Sequence, residues 1–274
     1  MFARRDLPDD VAAVRDRHAP GAVVLDSETD FETLETARAE QVGLVVESLS
    51  PKTYPESWLP PDAPEALLEY VRGEFTVGAP GDGGVTWTRQ TDPPVVVVKP
   101  RVRDSPADFV AFLVAEALVQ VGLGTDAGTV DPAPDALVPE HFLGFFEDRY
   151  VDLAAISNLS PAGTYQVAAA LYDGWLGLYA REAFAGWRGE RDRLFDAWQD
   201  AGERLEPRIE GLPAEVARGE SDFATATELA CAALKHGLEV PAPYAALVTA
   251  AYRRHGADYA VRWAEKTLDA LAEE

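Results

Sequence analysis

The sequence predicts an α+β fold: a small antiparallel three-stranded sheet with helices in residues 1–103, and a mainly helical region in residues 104–274. Three observations lead to this prediction. Strand-like patterns are confined to the first hundred residues, helical spacing of apolar residues dominates after residue 105, and 47% of the 274 residues are apolar, which is enough for a sizeable core. The link from Val95–Val98 to the next helix is short, so the two parts can share one core.

The first part of the chain mixes helices and strands. Val11–His18 is predicted as a helix that ends at a proline–glycine pair, and Ala22–Leu25 is predicted as a short strand. Apolar residues within Leu34–Leu49 recur at helical spacing, and Ala63–Arg72 is predicted as a short helix that ends before a glycine. We therefore expect helices on both sides of the strands in the sequence.

The strongest strand signal is an antiparallel meander. Its three strands are predicted at Glu74–Val77, Val85–Gln90 and Val95–Val98, with the glycine-rich segment Gly78–Gly84 as the turn between the first two. Backbone N–H groups of such a segment can hold an anion, but Asp82 would repel phosphate. A turn that needs glycine torsion angles is therefore the favoured interpretation.

The second part of the chain is predicted to be helical almost throughout. Helices are expected at 106–122, 139–153, 160–185 and 190–205, with a loop at 124–139. The last fifty residues are expected to form three helices separated at Gly237 and Gly256. The segment Tyr252–Tyr259 resembles part of a tetratricopeptide helix pair, but its glycine-to-tyrosine spacing is one residue too long, and an ordinary helical bundle is favoured.

The composition is strongly acidic and limits the classes of partner. The chain has 24 basic and 47 acidic residues, which gives a net charge of −23. This excess argues against nucleic acid and anionic membranes as partners. The single cysteine, Cys231, excludes an intrachain disulfide and a thiol-rich metal site.

Lysine is rare among the basic residues, with four in the chain, and the acidic residues are spread along its whole length. This composition resembles the cytosolic proteins of halophilic archaea that accumulate salt. The resemblance implies a fold that needs molar salt, because salt at 1 M screens charges to within about 3 Å. The overall character of the sequence is similar to that of haloarchaeal proteins of unknown function.

No targeting or membrane-spanning segment is predicted. The first ten residues carry charges where a signal peptide needs an apolar stretch. The longest apolar run, Phe109–Ala115, has seven residues, whereas a membrane span needs roughly 20. We therefore expect a soluble cytoplasmic protein.

Several catalytic signatures are missing from the sequence. There is no Gly-Lys-Ser/Thr of a P-loop and no Gly-x-Ser-x-Gly nucleophile elbow, and Gly81-x-Gly83 lacks the third glycine of the dinucleotide fingerprint. No two histidines lie close enough in sequence to form a metal motif. The sequence therefore predicts neither a cofactor nor a metal ion.

The almost wholly apolar helix at 106–122 contains the polar pair Glu116 and Gln120. The order of a strand, this helix and a later segment around His141 resembles a zincin metallopeptidase, in which a His-Glu-x-x-His helix binds zinc. Glu116 matches that motif, but Ala115 and Val119 occupy the two histidine positions and cannot bind zinc. The resemblance implies a degenerate, inactive relative, with Glu116 and His141 as candidate site residues, although His141 is more simply explained as a residue at the start of a helix.

The leading functional prediction is a non-catalytic interaction or scaffold protein with a protein partner in a salt-rich cytoplasm. It depends on the helical second part, the candidate repeat and the missing catalytic signatures. The alternative is the degenerate zincin-like domain. A third interpretation is a small-molecule-binding domain around the glycine-rich segment and Trp87, whose ligand the sequence does not identify.

Overall fold

The structure of the chain is a computed structural model, which describes residues 1–34, 36–43, 45–73, 75, 77–79, 81–123, 138–156 and 159–273. The chain divides into two compact units. Unit 1 comprises Met1–Pro55, Glu65–Glu140 and Ala183–Ala197, and unit 2 comprises Glu56–Pro64, His141–Glu182 and Trp198–Glu274.

Unit 1 contains a four-stranded mixed sheet and a separate two-stranded sheet. The strands are β1 (Phe2–Arg4), β2 (Val23–Ser27), β3 (Ser48–Leu49), β4 (Val85–Thr88), β5 (Thr91–Asp92) and β6 (Val95–Val98). The order in the larger sheet is β1-β2-β6-β4, and β3 pairs with β5 in the smaller one. Strand β2 runs parallel to β6, whereas β1 and β4 are antiparallel to their neighbours.

The predicted three-stranded antiparallel sheet is wrong in its strand number and in one of its pairings. The antiparallel pairing of β4 with β6 is confirmed. Phe75 and Val77 of the predicted first strand belong to no strand, and the other two residues of Glu74–Val77 lie outside the described residues. Strand β2 lies beside β6 instead. All four residues of β6 are buried valines, as is typical of an interior strand with neighbours on both sides.

The described residues of the first half of the chain form four α-helices. They are α1 (Asp9–His18), α2 (Thr36–Gly43), α3 (Glu65–Arg72) and α4 (Ala107–Gly122). Helix α4 packs against α1, β4 and β6. Because side chains alternate along a strand, Val95 and Val97 share one face of β6, and both pack in a cluster with Leu25, Phe31 and Leu34. Among the described residues of the helix expected at Leu34–Leu49, only α2 is helical, and Ser48–Leu49 forms β3 instead.

The remaining helices confirm the mainly helical character predicted for the second part. They are α5 (Phe142–Phe146), α6 (Arg149–Ile156), α7 (Pro161–Ala185), α8 (Asp192–Ile209), α9 (Leu212–Ala217), α10 (Phe223–Lys235) and α11 (Ala250–Glu273). The single helix expected at 139–153 is divided into α5 and α6 at Glu147, whose φ is 50°. Helix α10 ends before Gly237, and α11 is interrupted at Gly256 (φ 45°, ψ −121°), as the two glycines predict. None of the helices in the described residues combines the length and hydropathy that a membrane span needs.

Candidate functional site

Glu116 lies on α4 and belongs to a chain of side-chain hydrogen bonds in unit 1. The indole Nε1 of Trp87 donates to Gln120 Oε1 (2.8 Å), and Gln120 Nε2 donates to Glu116 Oε1 at a long 3.5 Å. Their i, i+4 spacing places Glu116 and Gln120 on one face of the helix. The polar pair recognised in the sequence therefore connects α4 to Trp87 of β4.

His141 is the N-cap residue of α5 in unit 2. Its Nδ1 accepts a hydrogen bond from the backbone N–H of Leu143 (3.3 Å), and its ring lies 4.3 Å from that of Phe142, measured between centroids. The side chain is buried, and burial lowers the pKa of His141 to about 3. The imidazole is therefore neutral at physiological pH and caps the helix.

The two predicted site residues lie in different units, Glu116 in unit 1 and His141 in unit 2. Within the described part of the chain, no group of three or more His, Cys, Asp or Glu side chains could hold a metal ion. Burial raises the pKa of the Cys231 thiol, which keeps it in the unreactive protonated form. The zincin resemblance stays a prediction.

Sequence reasoning missed a buried carboxylate, Glu140, whose side chain is 4% exposed. It accepts hydrogen bonds from Thr88 Oγ1 (3.0 Å), the backbone N–H of Arg89 (2.7 Å) and Gln90 Nε2 (3.2 Å). The Nε of Arg89 lies 3.9 Å from the carboxylate, and Lys52 Nζ lies 4.0 Å from it. Glu140 therefore connects the residues just before α5 to the end of β4 through hydrogen bonds.

Arg89 extends this network to the carboxyl end of α4. Its guanidinium Nη1 donates to the carbonyl oxygens of Val121 (3.4 Å) and Leu123 (3.0 Å), and Nη2 donates to that of Val138. A cation at this end of a helix satisfies free carbonyls and interacts favourably with the helix dipole. Arg89 and Glu140 thus form a buried structural pair that joins α4 to the sheet.

A second missed cluster lies at the carboxyl ends of the parallel strands β2 and β6, the edge where open α/β sheets bind ligands. Lys99 directly follows β6 and is fully buried. Its Nζ lies 4.8 Å from the ring centroid of Phe31 and 4.0 Å from Asp82 Oδ2. Among the described residues, no group accepts a hydrogen bond from this Nζ.

Asp82 belongs to the glycine-rich segment Gly78–Gly84 that leads into β4. Its Oδ2 accepts hydrogen bonds from the backbone N–H of Ala79 (2.9 Å) and from Thr86 Oγ1 (3.1 Å). Gly78 has a φ of 74°, and a Cβ there would lie 2.3 Å from the carbonyl oxygen of Glu32, so this position requires glycine. Burial raises the pKa of Asp82 and lowers that of Lys99, and for each group the neighbouring opposite charge only partly offsets this effect.

Arg101 holds the glycine-rich segment from the outside. Its Nε donates to Asp30 Oδ1 (2.9 Å), Nη2 donates to Glu32 Oε1 (2.7 Å), and Nη1 donates to the carbonyl oxygen of Asp82 (2.9 Å). Glu32 Oε2 in turn accepts from the backbone N–H of Gly81 (2.9 Å). The charge of Arg101 is therefore balanced by Asp30 and Glu32, and Lys99 and Asp82 remain as a second, inner pair.

One sequence signal could have identified this cluster. Lys99 continues the alternation of Val95 and Val97, so it follows an apolar strand on the face that packs into the core. Lysine is among the residue types that are almost never fully buried unless they are paired. A lysine at this register position, in a chain with four lysines, indicates a special environment.

The comparisons with known proteins assign the chain to a family but not to a function. Residues 1–271 match a family described as a family of unknown function (DUF7089). The comparisons with curated proteins and with solved structures found no match. Function therefore has to be argued from the residues themselves.

Proposed function

The chain belongs to the DUF7089 family of unknown function. We propose that it is a non-catalytic interaction protein of a salt-rich cytoplasm. The observation that carries the proposal is that its candidate catalytic groups make structural contacts. Glu116 accepts a hydrogen bond from Gln120 Nε2 on the same helix, and the Nδ1 of His141 caps α5. A general acid or base must instead reach the proton of a substrate.

The net charge supports the choice of a protein as the partner. With 24 basic against 47 acidic residues, the chain has few cations that could contact the phosphates of nucleic acid or of anionic membranes. In molar salt, charges are screened to within about 3 Å, so long-range electrostatic attraction cannot guide the partner to its docking surface. The proposed partner is therefore a protein recognised through close packing and direct hydrogen bonds.

The experiment is purification of the tagged chain from its own host in molar potassium chloride, followed by mass spectrometry. We expect a near-stoichiometric protein that rebinds the purified chain, measured by light scattering after gel filtration. The variants Glu116→Gln and His141→Asn should retain this protein in the same amount. An unrelated acidic protein with the same tag is the matched control.

Two results would overturn the proposal. One is a chain that is monomeric and without a bound protein in repeated purifications. The other is stoichiometric zinc that is lost in Glu116→Gln, because that would favour the zincin-like alternative.

A further inference from the structure

We draw no further inference here: the strongest candidate, the exposed apolar patch that Ala242, Ala245 and Val248 form at the 3₁₀ helix Tyr244–Val248 of unit 2, carries nothing because nothing in the described part of the chain shows what covers it.

Discussion

Glu140 is the side chain whose removal should most directly test the buried network of unit 1. The change Glu140→Ala removes the acceptor of Thr88, of the Arg89 backbone and of Gln90, and it leaves the guanidinium of Arg89 without its carboxylate. Removing one partner of a buried ion pair typically costs about 3–5 kcal/mol. We therefore expect the free energy of unfolding to fall by about 4 kcal/mol.

The conservative change Glu140→Gln separates the shape of the side chain from its charge. Glutamine keeps one acceptor oxygen and the volume of glutamate but loses the negative charge that faces Arg89 and Lys52. Since hydrogen bonds to a charged group are worth about 1 kcal/mol more than neutral ones, we expect a loss of about 2 kcal/mol. The order of stability should be the original chain, then the glutamine variant, then the alanine variant.

The assay is equilibrium unfolding by urea in molar potassium chloride, followed by tryptophan fluorescence. Urea is chosen because guanidinium chloride would change the ionic strength along the titration. With a slope of about 2 kcal/mol per molar urea, the alanine variant should lose about 2 M in its midpoint. Glu203→Ala, an exposed position on α8, is the control and should change the midpoint little. Equal midpoints for Glu140→Ala and Glu203→Ala would refute the reasoning.

Three further predictions concern pH, helix packing and salt. Burial lowers the pKa of His18 to about 4 and that of His141 to about 3, whereas the unfolded value is near 6.5. The stability that depends on these neutral histidines is therefore fully present above pH 6.5 and falls as the pH drops towards 4. The free energy of unfolding should decrease by up to about 1.4 kcal/mol per pH unit for each histidine. A urea midpoint that stays constant between pH 7 and pH 5 would contradict this. Gly122→Ala should destabilise the chain by about 1–3 kcal/mol despite alanine's higher helix propensity, because the new Cβ would lie 2.2 Å from the His18 carbonyl oxygen. The control Gly83→Ala has open space around its Cβ and should be tolerated. Equal thermal unfolding temperatures for the two variants would contradict this prediction. The unfolding temperature should rise between about 0.1 M and about 3 M potassium chloride, and an unchanged value would refute the requirement for salt.

The parts of the fold that local signals determine were predictable. The helix predicted at Val11–His18 matches α1 closely, and the one predicted at 160–185 matches α7, because capping residues, prolines and glycines mark their ends. The division between α5 and α6 was not predictable, because it depends on a positive φ at Glu147, a conformation that glutamate rarely adopts.

The sheet was predictable only where its strands are close in sequence. The pairing of β4 with β6 joins neighbouring segments and was expected. The parallel pairing of β2 with β6 joins residues about seventy positions apart, and no local pattern indicates it. Buried valines at every position of β6 imply two neighbouring strands but do not identify them.

Local sequence patterns do not show which distant segments come together, and this also explains why sequence reasoning selected Glu116 and His141 and missed Lys99. A carboxylate on an apolar helix is visible within a few residues, and so is a histidine at a helix start. The surroundings of Lys99 come from three segments, since Phe31 follows β2, Asp82 precedes β4 and Lys99 follows β6. Only the parallel pairing of β2 with β6 brings these segments to one edge. The wrongly predicted sheet and the missed cluster around Lys99 therefore have one cause, because both depend on a pairing between segments that are distant in sequence.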